Sequence, residues 1–391
     1  MGNGWVKIKQ NGDCDMELTY TSNLENEIWT MAEELDEIDD CESVIDFLNS
    51  KDSFQPFGTR LAAFISQKLS LPSTDRKTII AALTEQCKKS SVPLSEIASD
   101  GTLRNWLEKD KRPKKGIASR HSMFALAFAL NLSVDETKDL FHKIYLDRAF
   151  NYRDEKEVIY YFCLKNNRSW TDAVRLIAKG DGLSKEYSDH TQYTKAISSS
   201  VDSFQAEQDL LEYIRQNGHN FEKTSVTASK MFNRYLTEAK NWAKDEICQY
   251  NLDHQNKWIN NLSNNTLYEI ITGLNITGKK GTKTVFSNAN LPKEIKTRFP
   301  EAATFGEKDL TSEEYRKTII LLFSYGFWYQ IQREEIDGGI DDYTDELNNI
   351  LFDCNYSGLY YGNPFDWLFL FCAQSEQPLD TFRELLAEVL A

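Results

Sequence analysis

Apolar residues return at three- and four-residue spacing along most of this chain, and little interrupts them. Only 8 prolines and 18 glycines punctuate 391 residues, and these are the residues that most often break a helix. The pattern predicts helices joined by short turns, a mainly α, multi-helical fold. Hydrophobic residues make up 41% of the chain and aromatic ones 12%, enough to build real cores, which excludes global disorder. At this length two or three domains are expected.

Charge and periodicity divide the chain into four stretches. Residues 1–53 form an acidic N-terminal segment. No Lys or Arg falls between Lys9 and Lys51, and ten carboxylates lie between Glu25 and Asp46. Leu24, Ile28, Met31, Leu35, Ile38, Val44, Ile45 and Leu48 keep helical spacing there, so the carboxylates form the outer face of one or two amphipathic helices. A sharper reading has this segment screening a basic patch elsewhere. Residues 54–180 read as a run of helices: Phe57–Leu69, one capped by Asp75, a short one opened by Pro93, and Thr102–Glu108 after a turn at Asp100-Gly101. Met123–Leu130 is almost wholly apolar, Ser133 and Glu136 have capping-box spacing, and Glu157–Leu164 and Thr171–Ile177 close the domain.

Residues 181–305 are a helical middle region, with helices at Phe204–Gln216 and Ala228–Ile259 and a hairpin within Thr266–Phe286 around Gly278–Gly281. Residues 306–391 are an aromatic-rich helical module opened by Thr311, with Asn363-Pro364 as an N-cap followed by Pro and Pro378 or Thr381 opening the last helix. The opening Trp5–Lys9 is the one strand expected.

Several function classes are unsupported. The longest apolar runs, Ile319–Phe323 and Trp367–Cys372, are far too short to cross a bilayer. The first residues lack the layout of a secretory signal, and Val6 stands where myristoylation wants Ser or Thr. A cytoplasmic protein without membrane contact is expected. The 7 cysteines show no C-x-x-C pair, and the histidines no H-x-x-x-H, so neither metal nor disulfide framework is expected. Gly273-x-x-x-x-Gly278-Lys279-Lys280 misses a phosphate-binding loop, since Lys280 replaces the Ser or Thr that holds magnesium. The acidic cluster from Glu334 to Glu346 does not follow EF-hand spacing and reads as a solvated loop. No cofactor is expected, and no catalytic set can be read from spacing, so the chain is not expected to be an enzyme.

One window stands out. Formal net charge is −15, yet residues 101–120 carry seven cations against Glu108 and Asp110. A short helix ending in Trp106-Leu107, a basic turn and an apolar helix suit a polyanion partner, and duplex DNA is the commonest. A helix entering the major groove offers its first residues to base edges and leaves later ones to phosphates. Thr102, Arg104 and Asn105 are therefore the candidate base readers, Arg for guanine and Asn for adenine. Lys109, Lys111, Arg112, Lys114, Lys115 and Arg120 are the candidate phosphate contacts. Lys279, Lys280, Lys283, Lys293, Lys296 and Arg298 offer a second basic surface.

Leu94–Arg120, continued by Phe124–Thr137 with its alanine-rich helix and Leu132-Ser133-Val134-Asp135-Glu136-Thr137, resembles the helix-turn-helix domain of the Cro/C1-type (XRE) repressors. Ala98-Ser99-Asp100-Gly101 is one residue shorter than that family's usual turn. Phe57–Leu61, Tyr145–Asp154 and Tyr361–Leu368 also resemble a group of helix-turn-helix proteins of Gram-positive bacteria, a likeness that implies architecture alone. The resemblance implies a duplex-DNA-binding transcription regulator of a mobile element or defence locus, with a homodimer placing two recognition helices in successive grooves. The alternative is a phage-defence or host-interaction protein acting through protein contacts of its helical body, the C-terminal module supplying them.

Overall fold

The computed structural model describes residues 41–50, 53–109, 111–113, 116–186, 192, 194–221, 226–250, 262–276, 286, 289–296, 299–307 and 310–390. Every regular element among them is helical, as the scarcity of breakers predicts.

The first body is built from α2 (Phe57–Lys68), α3 (Arg76–Ser90), α4 (Leu94–Ile97), α5 (Asp100–Leu107) and α6 (Ile117–Ala129), preceded by α1 (Cys41–Asn49). Next come α7 (Val134–Asp139), which runs on as a π-helical turn over Leu140–Tyr145, then α8 (Glu155–Lys165) and α9 (Trp170–Asp181). Three short helices follow: α10 (Thr194–Ser203), α11 (Glu207–Gln216) and α12 (Gly218–Phe221). Starts are set by side chains. Asp75 accepts from the amides of Lys77 and Thr78, and Ser133 with Glu136 and Ser169 with Asp172 close capping boxes, so amides left over at each N-terminus find acceptors.

Gly273 ends the helix Asn264–Thr272 in a left-handed conformation, but most left-handed helix ends among the described residues use other residues. Ser70, Ser91, Asn131, Asn167, Glu334 and Asn355 each take a left-handed backbone. In each case the following amide donates to the carbonyl five residues earlier, as from Val92 to Cys87 and from Leu132 to Ala127, both at 3.0 Å. This is the closure that glycine usually provides.

Phe124, without exposure, lies at the centre of the first core. Its ring is 4.6 Å from Phe141 and 4.9 Å from Tyr160, and Tyr160 stacks on Trp170. The buried Arg153 ties the following segment on, donating to Thr194 Oγ1 at 3.1 Å and to the Asn220 carbonyl at 3.2 Å.

The second body holds α13 (Val226–Tyr250), α14 (Asn264–Thr272), α15 (Lys293–Lys296), a 3₁₀ turn at Ala302–Gly306, α16 (Ser312–Gln332), α17 (Ile340–Asp353), α18 (Pro364–Gln374) and α19 (Pro378–Leu390). Its core centres on α16, which is buried on nearly every side from Tyr315 to Tyr329. Thr311 and Glu314 close a capping box at its start. Asn363 caps α18 with Pro364 in its first turn, as the sequence predicts.

Two expectations change. The middle region is not a unit of its own: Ile197 to Phe221 joins the first core, and Ala228 onward joins the second. The described part of the acidic segment, α1, is the amphipathic helix expected, and its Val44, Ile45 and Leu48 enter the second core, with Phe47 4.7 Å from the Trp367 ring. The start of the expected hairpin is helical instead, over Asn264–Thr272. Trp5–Lys9, residues 25–40 and Gly278–Gly281 lie outside the described residues.

Candidate nucleic-acid interface

Ser99 opens α5 by accepting from the Thr102 amide at 3.2 Å. Its hydroxyl also lies 2.9 Å from Thr102 Oγ1. The helix therefore starts at Asp100, two residues earlier than expected, and Asp100-Gly101 is its first turn rather than a bend before it. Leu103 and Trp106 are the buried anchors. Trp106 meets Phe57 edge-on at 6.2 Å, and α2 approaches so closely that a Cβ on Gly58 would stand 2.2 Å from the Trp106 carbonyl oxygen. With that face fixed, Gly101, Arg104, Glu108 and Lys109 face outward, and Thr102 and Asn105 flank them half-buried.

The outward charges are partly matched by the protein. Arg104 Nε donates to Glu108 Oε2 at 2.9 Å. Arg76 pairs with Glu108 at 3.1 Å and with Asp100 at 3.2 Å. Against a desolvation that raises it, the hydrogen bonds from Arg104 and Arg76 hold the Glu108 carboxyl below its ordinary value.

The predicted phosphate contacts separate. Lys109 and Lys111 are exposed, and the Lys111 amide closes the turn on the Asn105 carbonyl at 2.9 Å. Arg112 turns into a cleft between the two bodies. Lys114 and Lys115 lie outside the described residues.

Arg120 must be withdrawn as a phosphate contact. It is 8% exposed and donates to both Glu157 oxygens at 2.6 and 2.7 Å, to Asp147 at 2.9 Å and to the Arg148 and Ala149 carbonyls at 2.9 and 2.8 Å. Desolvation opposes its charge, but Glu157 and Asp147 outweigh it and keep the guanidinium ionised. Its place is structural.

The cleft escapes sequence reading altogether. Arg112, His142, Arg148, Ser312, Arg316 and Tyr356 line it together with Asp147 and Asp366, from segments far apart in the chain. Arg316 grips the buried Asp366 in a two-pronged pair at 2.7 and 2.8 Å. Burial first, then the Arg316 charge, lowers the His142 pKa to about 4. Leu146, left-handed at φ 55°, turns the chain that places Asp147 and Arg148 at the rim. Direct contacts also cross the seam: Arg60 Nη1 to the Gly362 carbonyl at 3.3 Å and Asn355 Nδ2 to the Phe150 carbonyl at 2.7 Å.

Other chemistry finds little purchase. Gly273 follows a helix rather than a strand, so a phosphate-binding loop lacks its usual setting; Lys279, Lys280, Lys283 and Arg298 lie outside the described residues. No group of three His, Cys, Asp or Glu that would hold a metal occurs among the described residues. Burial pushes the Cys163 and Cys354 thiols up to about 12, far from the thiolate a nucleophile needs. No described helix is long and apolar enough to cross a membrane. No protein family, curated protein or solved structure matches this chain.

Proposed function

We propose that the chain is a cytoplasmic duplex-DNA-binding protein, a transcription regulator that lays α5 into the major groove. The observation that carries this reading is the setting of α5. A one-turn helix precedes it, Leu103 and Trp106 pin its inner face, and Arg104 with Lys109 and Lys111 lies open on the other side. Two short helices at a tight turn, the second exposed, is the arrangement that reads base edges.

The Arg104–Glu108 pair does not stand in the way. Its arginine side chain is 57% exposed, and exposed pairs are worth about 0–1 kcal/mol. A two-pronged contact to guanine discriminates by roughly 1–3 kcal/mol, so exchanging one partner for the other is favourable. Lys109 and Lys111, with Lys114 and Lys115 close by in sequence, then hold phosphates. A homodimer would bring two copies of α5 to successive grooves, and the C-terminal helices are the surface left for that contact or for a protein partner.

Fluorescence anisotropy on random duplex DNA over a salt series tests the reading. The expected result is micromolar binding at low salt that weakens steeply as salt rises. Lys109→Glu with Lys111→Glu should flatten the log–log slope by about 2, at roughly 0.9 per phosphate. Binding indifferent to salt, or weaker than about 10 µM at low salt, overturns it. Stoichiometric capture of a protein partner without DNA would favour the host-interaction alternative.

A further inference from the structure

The cleft between the bodies has an excess of unmatched positive charge at one spot. Its three acids already have cations: Asp366 has Arg316 at 2.7 Å, Glu313 has Lys317 at 3.7 Å, and Asp147 has Arg120, outside the cleft, at 2.9 Å. Arg112 and Arg148 line the same cleft and form no ion pair with any described residue. Arg148 lies 5.8 Å from the Tyr356 ring centroid. In a chain of net charge −15, two unmatched arginines at one recess favour the entry of an anion.

A second, independent observation points to the same place. Tyr356 is 5% exposed; its hydroxyl interacts with that of Ser312, and beyond each other neither enclosed hydroxyl has a hydrogen-bond partner among the described residues. Both residues line the cleft. Two enclosed hydroxyls that meet only each other leave one O–H without an acceptor, which an entering oxyanion can take up. Ser312 is also the first residue of α16, a helix of 21 residues, whose N-terminal dipole favours negative charge. The recess encloses about 30 Å³ of space open to a small ion, room for a few water-sized groups and far too little for a nucleoside.

We infer that this cleft binds a small tetrahedral oxyanion of the phosphate class, held by Arg112, Arg148 and the hydroxyls of Tyr356 and Ser312 at the head of α16. Arginine suits that role because its planar fork makes paired, charge-assisted bonds to such oxygens. The site goes beyond the DNA reading and is tested without DNA, so either can fail alone.

The test is thermal unfolding and calorimetric titration of the full chain with inorganic phosphate, ionic strength being held constant with sodium chloride. Phosphate and sulfate should stabilise the protein saturably where chloride and acetate do not. Arg148→Gln should weaken phosphate binding about tenfold or more, the scale of one charge-assisted contact. Tyr356→Phe, which keeps the ring, should weaken it by a smaller factor. Arg104→Gln, outside the cleft, should leave it unchanged. An adenosine monophosphate arm separates sources: exclusion of the nucleotide marks free oxyanion as the ligand, and competition with inorganic phosphate marks a nucleotide-borne phosphate on the same site. Should Arg148→Gln fail to fold, phosphorus-31 line broadening on the unaltered chain and on Tyr356→Phe answers the same question. Phosphate no better than chloride, or equal binding by Arg148→Gln or Tyr356→Phe, overturns the proposal.

Discussion

At the scale of single residues, the basic window divides by helical phase. Arg120 shares its stripe of α6 with Met123, Phe124 and Ala127, all buried. A count of three and four from the apolar run turns it inward; its charge invites the opposite assignment. Losing it would leave Glu157 and Asp147 facing each other without a cation, and breaking a buried pair from one side costs roughly 3–5 kcal/mol. Arg120→Met should therefore lower the stability read from urea unfolding by that amount, whereas Lys111→Met should leave it unmoved. Gly58 carries a different kind of constraint. Because α2 rests on the backbone of Trp106, Gly58→Ala should cost roughly 1–3 kcal/mol through overpacking and should disturb the setting of α5. The position is silent in sequence, where Phe57-Gly58-Thr59 reads as an ordinary helix start.

Among helices, the starts are readable and the stops less so. Asp75, Ser133 with Glu136, and Asn363-Pro364 cap as their spacing predicts, since those side chains act within one turn. Ser99 escapes notice because Gly101 follows it, and glycine is tolerated in a first turn more readily than its reputation as a breaker suggests. The stops rest on serine and asparagine in a left-handed conformation that costs most side chains roughly 1–2 kcal/mol. Ser91→Gly should relieve part of that strain and stabilise the protein by up to about 1 kcal/mol, read as a raised midpoint in chemical denaturation. Ser133→Ala should act the other way by about 1 kcal/mol through loss of its cap.

For the whole molecule, fold class follows from composition and period, but the seam does not, because its residues meet only after two cores have formed. Local patterns place α5 and its exposed lysines; they carry nothing about Arg148, Arg316 or Tyr356 sharing a cleft. His142 makes the seam sensitive to acid. Burial first, then the Arg316 charge, lowers its folded pKa to about 4, with Asp366 pulling the other way and Lys143 adding to the fall. The unfolded chain takes up a proton near pH 6.5, so stability is full above that pH, declines as pH falls and levels off below about 4. The loss amounts to as much as roughly 3 kcal/mol. Comparing midpoints of the parent chain and His142→Phe between pH 7 and 4 isolates this contribution from carboxylates that titrate lower.

The lodging of α1 in the distant core has a mechanical consequence. The polypeptide passes from the second body to the first between Phe54 and Phe57 and returns after Phe221, so two crossings join them instead of one. The second crossing adds a covalent restraint to the hydrogen bonds that Arg60 and Asn355 already make across the seam. Anything that freed α1 from that core would leave a single crossing and loosen the seam that Arg112 lines.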